Sequence, residues 1–372
     1  MRTTASFDLF PDAPSERAMA KARWLAREGR VAEAETAYRG VLATHPDLKP
    51  CWAEYFELLR SHGRLPEALR VAEGAEGQFG DAAFPLTLKG AALIELSRYR
   101  EALATLERAV GHDPDLALAW HELGLAAYRL GERNRALLAL DRAFALEPHT
   151  ETLKLRGRIL RDAGRYAAAE VAFEGAAQAA EHDEQRVEAE AEIRRTQRFG
   201  FYAPRKPDDL APAERWFAET GAVILAPTPG PVAPSDEVLA TGFGELASDS
   251  GWRFGQVVAL GPTLPVWSAV ADGLDAPLTG KSGFDAATIP LVVAVRPLPA
   301  DPAWGELTDA VRAENAGLVL VLEHPAGGDT AADIVGVLVD GAERRPRIPD
   351  VARALALAQH PASRLAGRRL SP

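Results

Sequence analysis

The chain is 372 residues long, which exceeds one ordinary domain and predicts about two domains of roughly 150 to 200 residues each. Hydrophobic residues make up 47% of the chain and charged residues 26%, which is typical of a globular protein and excludes a disordered one. The formal net charge of -11 argues against a surface made for duplex nucleic acid, because phosphate contacts need clustered Lys and Arg.

The sequence carries no signal for a disulfide, a multi-cysteine metal site or a membrane segment. Cys51 is the only cysteine. Residues 1–14 lack the apolar core of a signal peptide, and because Pro11 and Pro14 oppose a helix we predict a flexible polar tail there. No run of about 18 apolar residues occurs, so nothing is predicted to span a bilayer. We therefore predict a cytoplasmic protein with no nucleic-acid partner, no membrane partner and no cofactor.

The next part of the chain has the pattern of paired helices. In its clearest copy, residues 117–148, Trp120 and Gly124 lie on one helix, Gly131 breaks that helix, and Ala136 lies on a second helix. The small residues Gly124 and Ala136 predict a close approach of the two helices. We expect Trp120 to be buried between them.

This pattern resembles the tetratricopeptide repeat, a helical hairpin of about 34 residues with the signature Trp-x-x-Leu-Gly, followed by Ala and then Pro. Four further copies keep the spacing, and they are marked by Leu25, Trp52, Leu86 and Leu153. The resemblance implies an α-helical solenoid of about five repeats over residues 15–182. Residues 183–199 are strongly polar and are predicted to form a capping helix, and the proline-rich residues 200–207 are predicted to be a linker.

Solenoids of this kind present a concave groove that is lined by the first helix of each hairpin and binds a protein or peptide ligand. The repeat spacing assigns acidic residues to this lining, among them Glu57, Glu95 and Glu122. The alternative is that the face is simply solvated. The candidate partner-binding residues are Arg23, Arg27, Arg60, His121, Leu125, Tyr128, Arg129, Lys154, Arg158 and Arg161.

Related repeats that bind chaperone tails hold a terminal carboxylate with Lys and Asn in one repeat and with Lys and Arg further on. Lys154 and Arg158 resemble only the second half of that clamp, and Thr87 and Ala91 do not supply the first half. A chaperone-tail receptor is therefore not predicted. An acidic peptide that meets Lys154, Arg158 and Arg161 is the remaining possibility on this part of the face.

Beyond the linker, residues 208–372 alternate short apolar runs with helical stretches. This alternation predicts an α/β domain with a mainly parallel sheet that is covered on both faces. The predicted strands are residues 222–225, 256–260, 291–295, 318–322 and 334–339. The predicted helices are residues 236–248, 266–274, 304–315 and 350–359.

The order of these pieces resembles a phosphoribosyltransferase, and within that group most resembles orotate phosphoribosyltransferase. In active members the strand that corresponds to residues 291–295 ends in two acidic residues and a Thr- and Gly-rich turn that hold the phosphoribosyl donor. Here Arg296 and Pro297 stand in that place, and residues 261–265 lack the paired glycines of the pyrophosphate loop. The resemblance therefore implies a module without catalytic residues and without a metal site.

Other motifs in this domain favour ordinary structure. Gly280, Lys281 and Ser282 imitate the end of a P-loop, but the glycine that this motif requires five residues earlier is Asp275, so a surface turn is predicted. Residues 323–329 fit a strand-to-helix connection better than a decayed phosphate turn. The basic group Arg344, Arg345 and Arg347 is predicted to be a solvated loop.

Two functions remain open from the sequence. The favoured one is a scaffold or adaptor that binds a protein in the groove of the solenoid and carries a non-catalytic, phosphoribosyltransferase-like module. The alternative is a divergent phosphoribosyltransferase or nucleotide-binding enzyme whose activity the repeats regulate. The missing acidic pair favours the scaffold.

Overall fold

A computed structural model describes residues 14–262, 264–326, 331–340, 343–344 and 346–371. The chain divides into two compact units, Met1–Ile159 and Leu160–Pro372, and the division falls inside one helix. None of the described helices is long and apolar enough to cross a membrane. The predicted tail lies outside the described residues except for Pro14, at which the first helix begins. A proline fits there because the first helical position needs no N–H donor.

The N-terminal part of the chain is a helical-repeat solenoid. Consecutive helices α1 and α2, α3 and α4, α5 and α6, and α7 and α8 pack against each other as hairpins. The helices of this part are α1 (Pro14–Arg27), α2 (Val31–Thr44), α3 (Lys49–Ser61), α4 (Leu65–Phe79), α5 (Ala83–Glu95), α6 (Tyr99–His112), α7 (Ala117–Arg129) and α8 (Arg133–Leu146). Helix α9 (Thr150–Asp162) contains the division between the units.

A residue with a left-handed backbone ends the first helix of each hairpin at a regular interval. In the first, second, fourth and fifth turns this residue is a glycine with φ between 69° and 81°: Gly29, Gly63, Gly131 and Gly164. Glycine suits these positions because it has no Cβ to clash in the left-handed region. The third turn has Ser97 instead, at φ 59°. Successive turns lie 33 or 34 residues apart in the sequence, which is the spacing of the predicted repeat.

Small residues let the two helices of a hairpin approach closely, as the sequence predicts. A Cβ atom on Gly124 would lie 2.7 Å from Cγ of Leu140, and a Cβ atom on Gly90 would lie 2.4 Å from Cγ of Leu106. Both distances are too short for carbon atoms, so a side chain at either glycine would force the helices apart. Ala136 is fully buried in the same core as Leu140.

Trp120 does not occupy the buried position that its place in the signature predicts. It is half-buried at the edge of the core, and its indole Nε1 donates to the backbone oxygen of Pro114 at 2.8 Å. Trp52 makes the same contact with Pro46 at 2.8 Å. The tryptophan therefore ties the first helix to the turn that precedes it, while alanine and leucine side chains fill the space between the helices.

The second unit begins with two helices and continues as an α/β fold. Helix α11 packs against α10 and against α12. The helices are α10 (Tyr166–Gln178), α11 (Asp183–Gly200), α12 (Pro212–Thr220), α13 (Asp236–Asp249), α14 (Pro265–Gly273), α15 (Pro302–Ala313) and α16 (Val351–Ala358). The strands are β1 (Val223–Ile224), β2 (Thr228–Pro229), β3 (Gln256–Ala259), β4 (Leu278–Thr279), β5 (Pro290–Ala294), β6 (Leu318–Pro325), β7 (Ile334–Asp340), β8 (Glu343–Arg344) and β9 (Arg347–Ile348).

The main sheet is parallel, as the sequence predicts, in the order β1, β7, β6, β5, β3, β4. The short strand β8 pairs antiparallel with β7, and β2 pairs with β9 in a separate two-stranded sheet. All five predicted strands and all four predicted helices of this domain are present, with ends shifted by at most three residues. The prediction lacked α12 and the two-residue strands β2, β4, β8 and β9, because runs this short carry too little pattern.

Alternate residues of each central strand enter two different cores. In β5, Leu291 and Val293 pack with helices α13, α14 and α16, whereas Val292 and Ala294 pack with α15. Successive side chains of a strand point to opposite faces, so an apolar run can be buried only when both faces are covered. The prediction of a sheet covered on both faces is confirmed.

The predicted linker, residues 200–207, lies inside the second unit and contacts it. Tyr202 is buried in the core of the unit, and Arg205 pairs with Glu214 of α12 at 2.8 Å. The hydroxyl of Tyr166 donates to the backbone oxygen of Arg205 at 2.5 Å. The domain boundaries at residues 182, 199 and 207 stay a prediction.

Candidate functional site

The first helices of successive hairpins lie side by side and are joined by side-chain contacts. Arg23 of α1 pairs with Glu54 of α3 at 2.6 Å, and Arg60 of α3 pairs with Glu95 of α5 at 3.1 Å. Helices α5 and α7 also contact each other. We call the surface formed by α1, α3, α5 and α7 the first-helix face.

The candidate residues predicted from the sequence all lie on first helices. Arg27, Arg129 and Arg158 are exposed, whereas Leu125 and Tyr128 are half-buried. The structure places the candidates on α1 (Arg23, Arg27), α3 (Arg60), α7 (His121, Leu125, Tyr128, Arg129) and α9 (Lys154, Arg158, Arg161).

The centre of the first-helix face holds one guanidinium group among three carboxylates. Arg60 donates through Nε to Glu57 at 2.8 Å and through Nη1 to Glu95 at 3.1 Å. Glu122 of α7 interacts electrostatically with all three of these residues. We call Glu57, Arg60, Glu95 and Glu122 the Arg60 cluster. It carries an excess of negative charge when its carboxyl groups are ionised.

Glu122 is the carboxylate of the Arg60 cluster that Arg60 does not pair with. It is half-buried, and it forms no ion pair with any residue that the structure describes. Burial raises the pKa of its carboxyl group to about 7; Glu95 and Glu57 add to this rise, while Arg60 opposes it. A cation placed beside this carboxylate would favour its ionised form.

His121 connects two first helices and does not present a charge. Its Nδ1 lies 3.0 Å from Oγ1 of Thr152 on α9. Burial lowers the pKa of the imidazole, and the neighbouring His149 lowers it further. His121 is therefore neutral at neutral pH.

Two of the three cations that were expected to meet an acidic peptide are not exposed. Lys154 is 5% exposed and pairs with Glu151 at 2.7 Å. Arg161 is 5% exposed, pairs with Glu192 of α11, and lies 5.5 Å from the centre of the Phe173 ring. The prediction of a patch of three exposed cations is therefore corrected, and only Arg158 is exposed. Lys154 and Arg161 pair with carboxylates of the protein because a buried charge needs a partner of opposite charge.

At the ends of β5 and β6, the carboxyl edge of the sheet in the second unit is occupied by the protein's own side chains. Arg296, which follows β5, pairs with Glu323 of β6 at 2.5 Å. Leu298 packs against the core on the α15 side of the sheet. The ring of His324 lies beside that of Trp216, with ring centres 4.8 Å apart and the ring planes tilted by 57°. Among the described residues, no group of three or more His, Cys, Asp or Glu is arranged to hold a metal ion.

The strand-to-helix connection predicted at residues 323–329 is corrected, because Glu323 and His324 are buried within β6 and the next described element is the strand β7. The other motifs of the second unit are ordinary surface features where they are described. Lys281 lies in a short 3₁₀ turn, Lys281–Gly283, and its Nζ is 3.7 Å from Glu306. Arg347 donates weakly to the backbone oxygen of Pro227 at 3.5 Å. Residues 327–330 and the side chains of Arg344 and Arg345 lie outside the described part of the chain.

No family model and no curated protein matches the chain. Among solved structures it is similar to TTC0263, a thermophilic TPR protein of Thermus thermophilus, with 21% identity, a TM-score of 0.43, and coverage of 48% of this chain and 98% of that one. Pseudomonas aeruginosa PilF has 17% identity and a TM-score of 0.40, covering 50% of this chain and 81% of its own. YrrB, described as a TPR protein with an unusual peptide-binding site, has 17% identity and a TM-score of 0.34, covering 46% of this chain and 90% of its own.

Proposed function

We propose that this protein is an interaction scaffold whose first-helix face binds a peptide segment of a partner protein. The observation that supports this is the Arg60 cluster, in which the carboxyl groups of Glu57 and Glu95 share one guanidinium and Glu122 has no ion pair among the described residues. An extended surface with an incompletely neutralised centre offers a place for a charged side chain of a ligand.

The charge of the Arg60 cluster selects a Lys or Arg side chain of the partner. A cationic group beside Glu122 adds a charge-assisted hydrogen bond and offsets the repulsion among the three carboxylates. Of the three cations expected to meet an acidic segment, only Arg158 is exposed, since Lys154 and Arg161 are buried and paired within the protein. The ligand class is therefore a basic peptide segment.

The pH dependence of binding tests this assignment. The pKa of about 7 keeps the Glu122 carboxyl group largely protonated at pH 5.5 and ionised at pH 8.5. Because Lys is charged at both pH values, we expect an eight-residue Lys-Ala repeat peptide to bind the full chain about tenfold more tightly at pH 8.5, which corresponds to about 1.4 kcal/mol. Isothermal titration calorimetry at both pH values measures the change.

Glu122→Gln is the matched variant, because it keeps the shape of the side chain and removes its charge. We expect this variant to bind the Lys-Ala peptide with the same affinity at both pH values. Glu28→Gln, just after α1 and an exposed residue of the same type, serves as the control and should keep the wild-type pH dependence. Equal binding of a Glu-Ala peptide, or an unchanged pH dependence in Glu122→Gln, would contradict the proposal.

The α/β fold of the second unit is, in this proposal, a non-catalytic phosphoribosyltransferase-like module. Transfer of a phosphoribosyl group needs carboxylates that hold Mg²⁺ and backbone N–H groups that hold the phosphates of the substrate. Arg296 places a positive charge at the expected acidic position and is held there by Glu323. Pro297 removes a backbone N–H donor next to it.

The alternative, a divergent phosphoribosyltransferase or nucleotide-binding enzyme, predicts a different calorimetric result. We expect no binding heat when phosphoribosyl pyrophosphate with Mg²⁺ is titrated into the full chain. The carboxylate of Asp301 already accepts the backbone N–H of Ala303 at 2.9 Å as the N-cap of α15. Micromolar binding that Asp301→Ala weakens would establish the enzyme alternative instead.

A further inference from the structure

One side of the second unit carries an open cleft that the proposed peptide-binding surface does not include. Helices α13, α14 and α16 surround this cleft, which has a volume of about 820 Å³. The three helices cover the same face of the sheet, and α13 contacts both of the others. We call this space the α13 cleft.

The floor of the α13 cleft is made of small side chains. Ala240, Gly244 and Ser248 line it and lie four residues apart on α13, so they form one row along the helix. A Cβ atom on Gly244 would meet no heavy atom within 4 Å. Such a row allows the backbone of another helix to approach α13 closely, within the roughly 8 to 10 Å that packed helices typically adopt.

The walls of the α13 cleft are apolar. Val266, Val270 and Leu274 line it from α14 and the residue after it, and Val351 and Leu355 line it from α16. Leu274, Val351 and Leu355 are only half-buried and so keep apolar surface in contact with solvent. Covering this surface would be favourable, because it removes apolar area from water.

The charged residues that line the α13 cleft are all acidic. They are Glu237, Glu245 and Asp249, each exposed, and no Lys or Arg is among the described lining residues. Glu245 and Asp249 form no ion pair with any residue that the structure describes. An apolar floor and walls with an acidic edge are complementary to a helix whose apolar stripe is flanked by Lys or Arg.

We propose that the α13 cleft docks a cationic amphipathic helix of a partner protein. The helix lies along α13 between α14 and α16, with its apolar stripe on Gly244 and its basic side chains against Glu245 and Asp249. A second copy of the chain is disfavoured as the occupant, because symmetric pairing would bring two sets of these carboxylates together. This proposal is independent of the Arg60 cluster.

A leucine at Gly244 tests the proposal, because it fills the cleft where the backbone has open space. The probe is a fluorescein-labelled 18-residue helical peptide with a leucine stripe flanked by lysines, and fluorescence anisotropy with the full chain measures its binding. We expect Gly244→Leu to weaken binding at least tenfold and 0.5 M NaCl to weaken binding to the wild type. Gly305→Leu is the matched control, since Gly305 lies on α15, which packs on the opposite face of the sheet, and a Cβ atom there also has open space. It should leave the affinity unchanged.

The peptide with glutamates in place of the lysines should not bind. Glu122→Gln should leave the binding of the lysine peptide unchanged, which separates this cleft from the first-helix face. Equal affinity of Gly244→Leu and the wild type would overturn the proposal, and so would binding of the glutamate peptide. If the wild-type chain self-associates and Gly244→Leu does not, the occupant of the α13 cleft is a second copy of the chain, and the proposal of a partner helix is wrong.

Discussion

Replacing Arg198 by methionine is expected to lower the free energy of unfolding of the second unit by about 4 kcal/mol. The guanidinium group of Arg198, which lies on α11, donates to three backbone oxygens at 3.0 Å each, those of Ala218, Glu219 and Ala362. Each is a buried or partly buried hydrogen bond from a charged donor, worth about 1.5 kcal/mol. Methionine keeps much of the apolar volume and loses all three bonds.

Arg198 remains charged at neutral pH, although burial lowers the pKa of its guanidinium group to about 10. Its three acceptors lie at the end of α12 and in the segment after α16, so the side chain fastens α11 to both. Urea denaturation followed by far-UV circular dichroism measures the loss. Arg186→Met, at an exposed position of the same helix, should change the stability by less than about 0.5 kcal/mol. A loss of similar size in both variants would show that Arg198 does not hold α11 in place.

Replacing Asp333 by alanine is expected to cost about 3 to 5 kcal/mol, because it breaks a buried ion pair from one side. Asp333 is fully buried just before β7, and its Oδ2 accepts from Nη1 of Arg368 at 2.7 Å and from the backbone N–H of Val319 at 2.9 Å. Arg368 is itself only 8% exposed on its side chain. The variant therefore leaves a cation buried without its carboxylate.

A double-mutant cycle separates the ion pair from simple loss of packing. We expect Asp333→Leu with Arg368→Met to be more stable than the sum of the two single losses implies, because the double variant leaves no unpaired charge. Asp309→Ala, at an exposed position on α15, is the control and should change stability by less than about 1 kcal/mol. Additive losses in urea denaturation would mean that the pair contributes nothing beyond its separate contacts.

Local spacing in the sequence was enough to predict the helical hairpins. A left-handed turn residue every 33 or 34 positions and paired small residues such as Gly124 and Ala136 act within one hairpin, so their effect is visible in a short stretch of chain. The apolar runs that became β5 and β6 were equally clear, because strands buried on both faces lack the polar alternation of exposed strands. Trp120 was placed on the correct helix but given the wrong depth, since spacing alone does not tell an edge position from the centre of a core.

The candidate site depended on contacts between hairpins, which spacing did not reveal. Glu95 and Glu122 were assigned to the lining, but their meeting with Arg60 is decided by how α3, α5 and α7 stack. The burial of Lys154 and Arg161 likewise follows from partners, because a long side chain in isolation is expected to stay in solvent.

The sequence by itself determined the longer helices and strands and that the main sheet is parallel, because hydrophobic periodicity and turn residues are properties of neighbouring positions. Only the tertiary structure decided the strand order, the hydrogen bonds by which Arg198 holds α11 against the α/β fold, and the α13 cleft. These features join residues that are distant in the chain. Their energy depends on burial and on pairing of charges in three dimensions, and a single sequence records neither.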